Sequence, residues 1–522
     1  MIESMATDPL SIPERSLSSF DWPSLHARTR LHFQEHECVQ DMVFFDTADQ
    51  VISALKELYQ RQVTQARQTI FSDQRSVGSR SYPYLGIYVP VCDSSLLQSY
   101  GLFSHPGFYG TTITQPVLYE GYLHQQITLL MQSHQILVGV GTSARHIPAS
   151  FLPSMPPIEV VDSAETPPKM AMIAPDAGLD ASMRVHLPSL YGLDQDCEDE
   201  GKDWDALPTK PLGLFSAPRI DYSLARLQHY CGTSADQFQN FILLTNYSHY
   251  VDSFLAYARE PERLKQGYTS WSGPMGRWHR LDQGIPAECV DEGRAFQMPA
   301  YHLQKADRQG ITLINIGVGP SNMKTITDHL AVLRSHCWIM LGHCGGLHHT
   351  QRLGDFVIAN AYMREDRVLD EELSLNIPIP PVSDVQHALH QAGTRFFPDQ
   401  DQLYRSLRSG TVLTTANRNW ELRIKSFSPL IHRSRAIAID MESATLAANA
   451  FRFSIPYGAL LCVSDRPLHG DLKMPQSAQN FYKDRVHEHM LMGITAMEIL
   501  STYCPLALHS RKLRGFQAAP FR

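Results

Sequence analysis

The sequence predicts an α/β protein: a layered mixed β-sheet with covering helices, preceded by a smaller α+β domain. Three observations carry that prediction. From about residue 215, short apolar runs alternate with helical stretches, the pattern of a sheet with helices packed on it. Two of those runs end in carboxylates where the chain leaves the sheet, at Asp440-Met441-Glu442-Ser443 and at Cys462-Val463-Ser464-Asp465. A proline-rich and then acidic stretch separates this alternation from what precedes it.

Residues 1–50 are mixed and show no strong periodicity, and no role is assigned to them. Over Val51–Ile70 the apolar positions Val51, Ile52, Leu55, Leu58, Tyr59, Val63, Ala66 and Ile70 follow helical spacing. Tyr84–Val91 and Gly110–Ile113 read as strands, 120–131 as a helix, and His134–Val140 as a strand. Residues 51–200 therefore read as an α+β domain and its linker. Pro148, Pro153, Pro156, Pro157, Pro167 and Pro168 crowd the boundary, and Asp194–Asp205 holds seven acidic residues against Lys202. Such a stretch stays solvated. In the domain spanning 215–522, strands are expected at 241–245, 311–318, 337–342, 355–362, 411–415, 436–440 and 459–464. Helices are expected at 321–334, 441–451 and 481–501.

Bulk properties exclude several classes. With 522 residues and 58.9 kDa the chain is long enough for two or more domains. A net charge of −8 gives no global basic field for nucleic acid. Nine cysteines without CxxC spacing argue against a disulfide framework or structural zinc and fit a reducing cytoplasm. No signal peptide is read at the N-terminus, and no apolar run approaches the ~20 residues that span a bilayer. The 24 histidines include the pair His348-His349 but no HExxH, so no metal site is expected.

Two glycine loops follow strands. Asn315-Ile316-Gly317-Val318-Gly319-Pro320-Ser321-Asn322 lacks the third glycine of a dinucleotide fingerprint. Its Pro320 and Ser321 read instead as a helix start. Leu341-Gly342-His343-Cys344-Gly345-Gly346-Leu347 reads as a Gly-rich turn after a strand. Glycine lets backbone N–H groups approach a ligand; either loop alone is as readily a tight strand exit. The same duality holds for the carboxylates, which often cap helices at strand ends but also sit where open α/β sheets bind ligands.

Four motifs stand in order: Gly317-Val318-Gly319-Pro320-Ser321, Gly342-His343-Cys344-Gly345, Asp440-Met441-Glu442-Ser443 and Ser464-Asp465. Together they resemble the superfamily of purine nucleoside phosphorylases and nucleosidases. Within it the chain from about Phe103 to Arg522 is similar to the bacterial AMP nucleosidases. That likeness rests on Ser104-His105-Pro106-Gly107, Thr111-Thr112-Ile113-Thr114, Asp221-Tyr222-Ser223-Leu224-Ala225-Arg226-Leu227 and Arg418-Asn419-Trp420-Glu421. It also takes in the tail, Leu508-His509-Ser510-Arg511-Lys512-Leu513-Arg514 and Pro520-Phe521-Arg522. The resemblance implies a nucleoside phosphorylase-like catalytic domain that hydrolyses AMP to adenine and ribose 5-phosphate. It also implies MgATP as an allosteric activator, phosphate as an inhibitor, an N-terminal regulatory domain and a homohexamer. No cofactor is implied for catalysis.

The resemblance assigns Asp465 as the acid at the purine and Glu442 as the ribose clamp, with Met441 packing on the sugar. Gly317, Gly319, Gly345 and Ser464 line the site with them. Phosphorylase relatives place phosphate-binding arginines where this chain has Met340 and the Asn246–Tyr250 stretch, and a serine where it has His343. Without the guanidinium fork, water is the expected nucleophile, with Asn246 and His343 as open candidates for activating it. Lys324, Arg352, Arg418 and His343 are candidates for the 5′-phosphate, and each is as readily a surface or ion-pair residue. Trp420 is either a stacking partner for adenine or a core tryptophan. Arg145-His146 and Thr111-Thr112 are candidate anion contacts in the first domain. A nucleosidase or phosphorylase for unphosphorylated nucleosides and a non-catalytic nucleotide sensor are the competing readings.

Overall fold

The computed structural model describes residues 22–71, 80–90, 92, 101–103, 105–134, 136–152, 206–276, 278–285, 295–471, 479–508 and 518–522. Most of the proline cluster, the acidic run, Ser104 and the basic part of the tail lie outside these residues. The chain divides into two compact units: residues 1–197, 203–222 and 519–521, and residues 198–202, 223–518 and 522.

The first unit is built on a five-stranded sheet in the order β1-β4-β2-β3-β5. Its strands are β1 (Gln40–Phe45), β2 (Ser81–Val89), β3 (Gly107–Thr112), β4 (Val138–His146) and the short β5 (Lys210–Pro211). Helices α1 (Trp22–Glu37), α2 (Ala48–Phe71) and α3 (Glu120–His134) accompany it. The α2 periodicity buries Val51, Leu55, Val63 and Ala66, the stripe that an amphipathic helix turns to a core. The expected strand at His134–Val140 starts four residues later, because α3 runs through His134.

The second unit carries a ten-stranded mixed sheet, β14-β13-β12-β15-β11-β6-β10-β9-β7-β8. Its central strands are β6 (Phe241–Thr245), β10 (Ile311–Asn315), β11 (Cys337–Gly346) and β15 (Tyr457–Asp465), mutually parallel where they pair. β7 (Tyr268–Ser272), β8 (Trp278–Arg280) and β9 (Ala300–Lys305) extend one edge. β12 (Phe356–Glu365), β13 (Leu407–Thr415) and β14 (Ala438–Asp440) complete the other side. β14 also pairs with β11, so the strands β11, β15, β12, β13 and β14 close into a ring. Strands such as β6 and the body of β15 are buried along their length and read as continuous apolar runs.

Glycine decides two strand ends differently from the sequence expectation. The strand predicted to run to residue 318 stops at Asn315, because Gly317 and Gly319 take positive φ of 69° and 120°. The expected turn at 341–347 is instead strand through Gly346. There β14 pairs with Gly345 and Gly346, and a Cβ on Gly345 would lie 3.1 Å from Ile439 Cγ2. The predicted helix at 321–334 is α-helical over Pro320–Leu330 and tightens to 3-10 over Ala331–Leu333. Among the described residues, no helix is long and apolar enough to cross a membrane.

Candidate active site

Strands β6, β10, β11 and β15 release their carboxyl ends at one side of the sheet, and β14 supplies the closing contact. β14 runs antiparallel to β11, with Ile439 opposite Gly345. Residues after Ile439 therefore travel back toward His343 and Gly342. This antiparallel return delivers Glu442 to the end of β6.

Glu442 is 1% exposed. One carboxylate oxygen, Oε1, accepts the backbone N–H of Gly319 at 2.7 Å, and Oε2 accepts the Asn246 side-chain amide at 3.1 Å. The Gly319 donor exists because Gly319 adopts φ 120°, ψ 151° before the helix that Pro320 opens. Burial, and then the neighbouring Asp440 charge, raise the Glu442 carboxyl to about 8. The donors from Gly319 and Asn246 pull the other way. Each oxygen keeps a second lone pair, so the carboxylate can still accept two hydroxyl hydrogens.

Asp440 fixes the turn that aims Glu442. Its oxygens accept from Thr414 Oγ1 at 2.5 Å, from the Ser443 N–H at 2.8 Å and from the Ser443 hydroxyl. Burial raises its carboxyl as well. A second strand end places Asp465 beside Gly345 across the β11–β15 ladder, at a register irregularity that follows Cys344. Asp465 is half-buried, and the hydroxyl of buried Ser464 lies 2.5 Å from its Oδ1. Arg466 is engaged elsewhere, by Asp471 and the Gln351 carbonyl.

His343 is half-buried, with its ring 4.9 Å from that of Tyr247 and 5.6 Å from that of Tyr250. Behind it the Tyr250 hydroxyl lies 2.7 Å from His489 Nδ1, and His489 Nε2 lies 2.8 Å from the Leu460 carbonyl. The carbonyl requires the proton on Nε2, so Nδ1 accepts from Tyr250. Burial lowers the His489 imidazole to about 3, leaving this layer neutral.

The remaining expected residues divide. Met441 is half-buried next to Glu442, and Gly317 holds the loop with its N–H on Asn315 Oδ1 at 3.2 Å. Trp420 lies in an apolar cluster with Leu347, Leu413, Ile431, Ala436 and Ile439, the core position that the sequence left open. Arg418 is exposed on the loop after β13. Lys324 is held in ion pairs with Asp328 at 3.0 Å and Glu372 at 2.9 Å. Arg352 is exposed, and its backbone N–H caps on Asp355. The pairing of Asn246 with Glu442 was missed by sequence reasoning, because the two residues are 196 positions apart.

Comparison with known proteins places the chain in a family. The chain is 41% identical over 503 residues to the AMP nucleosidase of Escherichia coli (strain K12), covering 91% of this chain and 98% of that one. The chain belongs to the AMP nucleosidase family. The same identity and coverage hold for the AMP nucleosidase of Escherichia coli O157:H7. Residues 50–181 match the family model for the bacterial AMP nucleoside phosphorylase N-terminus, and residues 285–489 that of the phosphorylase superfamily. Among solved structures, AMP nucleosidase from Bacteroides thetaiotaomicron VPI-5482 is 29% identical at TM-score 0.40, covering 54% of this chain and 98% of that one. Purine nucleoside phosphorylase from Toxoplasma gondii in complex with immucillin-H is 18% identical at TM-score 0.38, covering 51% and 94%. In this AMP nucleosidase family member, Glu442 and the Gly319 loop both fall within the matched phosphorylase-superfamily region.

Proposed function

We propose that this chain hydrolyses the N-glycosidic bond of AMP, releasing adenine and ribose 5-phosphate, with Glu442 and Asp465 as its two working carboxylates. The observation that carries the reading is the buried Glu442 carboxylate, oriented by the Gly319 N–H and the Asn246 amide at the converging strand ends. A carboxylate held there suits a sugar whose hydroxyls need acceptors and whose anomeric carbon becomes cationic as the bond breaks.

In this mechanism Glu442 works in its ionised form, which the positive charge developing on the sugar favours; it accepts the ribose 2′- and 3′-hydroxyls and in turn stabilises the oxocarbenium-like sugar. Met441 packs on the ribose. Asp465, oriented by Ser464, donates a proton to adenine N7 as the C1′–N9 electron pair passes to the base. Water adds to C1′. Arg418 and His343 are the proposed contacts of the 5′-phosphate, and Gly317 lets the backbone approach the ligand, whereas Gly345 gives its room to Ile439 of β14. Asp465→Asn is expected to keep the fold and lower kcat by roughly 10²–10⁴-fold; a near-normal kcat sinks the acid role.

Residues 51–200 are the proposed regulatory region, with MgATP as activator and phosphate as inhibitor; residues 50–181 match the bacterial AMP nucleoside phosphorylase N-terminus. Assembly into a homohexamer and a cytoplasmic working place belong to the same reading; the seven described cysteines, all free thiols, suit that compartment. The decisive experiment incubates the protein with AMP and with adenosine, each with and without phosphate. Adenine and ribose 5-phosphate released from AMP without a phosphate requirement support the reading. Phosphate-dependent cleavage, or no cleavage even with added MgATP, overturns it.

A further inference from the structure

We propose that Asn246 is a catalytic residue whose side-chain carbonyl holds the attacking water, with its orientation fixed by Glu442. This rests on the reaction proposed above. Asn246 follows β6, and the Ile316 N–H continues the β6–β10 pairing to the Thr245 carbonyl at 2.8 Å. The residue is 8% exposed. Its two amide ends are not equivalent. Nδ2 donates to Glu442 Oε2 at 3.1 Å, whereas among the described residues nothing donates to the buried Oδ1.

An asparagine amide is free to turn over unless a partner discriminates its ends. A carboxylate does so, because it accepts from N–H and repels a carbonyl oxygen. Glu442 therefore aims Oδ1 away from itself. Leaving such a buried acceptor unmet costs about 1–3 kcal/mol, and a water O–H meets it. A Cβ built on Gly342 would lie 3.5 Å from Oδ1, 3.7 Å from Nδ2 and 2.7 Å from Met340 Cε, so Gly342 stands beside the amide with its Oδ1 end marginally nearer. Met340 and Gly342 thus share one face of β11 there, and a methionine methyl suits an uncharged nucleophile better than an anion.

The step balances without a further reactant. Water oxygen forms the bond to C1′ while its O–H rests on Asn246 Oδ1, and the C1′–N9 bond breaks with its electron pair on adenine. Adenine takes its proton from Asp465. The water oxygen, once bonded to C1′, loses its extra proton to solvent, and solvent reprotonates Asp465.

Two variants separate this role from mere support of Glu442. Asn246→Ala removes both amide ends. Gly342→Ala keeps both side chains of the Asn246–Glu442 pair and sets a methyl in van der Waals contact with the amide, nearest Oδ1, displacing only the flexible end of Met340. Each is assayed for adenine release from AMP, and for the ratio of methyl riboside 5-phosphate to ribose 5-phosphate in aqueous methanol. The expected losses in kcat are about 100-fold for Asn246→Ala and at least about ten-fold for Gly342→Ala, with KM within about three-fold. The methanol-to-water product ratio should rise in Asn246→Ala and fall in Gly342→Ala. Near-normal kcat in Gly342→Ala, a raised KM with intact kcat in Asn246→Ala, or an unchanged product ratio in both overturns the assignment. Wild-type protein that releases no adenine overturns the reaction itself instead.

Discussion

Among the described residues, each unit holds a deeply buried carboxylate that burial raises toward neutral pH, Asp221 in the first and Glu442 in the second, and the two are held in different ways. Asp221, in the first unit, is 2% exposed and raised by burial to about 7. Its oxygens accept from Tyr82 at 2.8 Å, Thr114 at 2.7 Å and Gln115 at 3.2 Å. All three donors are neutral side chains, and they pin the start of the helix Ala217–Cys231 to the sheet. Glu442 is as deeply buried, yet one donor is the backbone of a glycine loop. The other is an amide whose far end has no partner among the described residues. Burial and a raised carboxyl therefore do not by themselves mark a site. The mark is a donor set drawn from strand ends, with acceptor capacity still open.

Exchanging the charge at each position gives the largest separation. Glu442→Gln keeps an acceptor for Gly319 but sets amide against amide at Asn246 and removes the charge facing the ribosyl cation. Its kcat/KM for AMP should fall roughly 10²–10³-fold, measured by adenine release. Asp221→Ala should leave kcat within about three-fold and lower stability by about 2–4 kcal/mol, since three donors lose their acceptor. Denaturant titration reads this loss. If the effects are reversed, Asp221 is the working group and the comparison fails.

The sequence made the strand ends legible and left their meeting points hidden. β6, β15 and the helix after Glu442, expected over 441–451, follow from local runs and patterns of apolar residues, a short-range signal. Glu442 and Asp465 were legible because each closes such a run. Asn246 was not, since its partner is fixed by β14 doubling back along β11, a non-local pairing that no window of sequence contains. The same pairing turned an expected glycine turn at 341–347 into strand. The edge strands β7, β8 and β9 escaped notice because Thr, Ser, His and Gln interrupt their apolar pattern.

Gly319 tests whether the loop donor matters as the comparison claims. A Cβ there meets no atom within 4 Å, so Gly319→Ala introduces only backbone strain at φ 120°, worth about 1–3 kcal/mol. Relief of that strain turns the N–H from Glu442, and kcat/KM should drop about ten-fold. Unchanged kinetics would reduce the Gly319 contact to a bystander.

Titration sharpens the comparison further. A carboxyl raised in the folded state stabilises it fully below the unfolded value, and that contribution is lost as pH rises through the folded one. For Glu442 the window runs from its ordinary 4.5 to about 8, and for Asp221 from 3.8 to about 7. Thermal melts of wild type should fall relative to Glu442→Gln across the first window and relative to Asp221→Asn across the second. Parallel melting curves for wild type and both variants would remove the premise that either group is raised.

The smallest expected effect concerns Trp420, where the choice lies between core and ligand contact. Trp420 is 6% exposed and shares its cluster with Ile439, the residue that precedes Asp440. Its ring also lies 6.1 Å from that of Phe427. Trp420→Phe removes indole volume from this packing and should cost about 1–3 kcal/mol, with KM for AMP within about two-fold. A ten-fold rise in KM at unchanged stability would instead make the indole a stacking surface for adenine. That outcome would bring a third element, the loop after β13, into a site that Glu442 and Asp465 otherwise define from the strand ends alone.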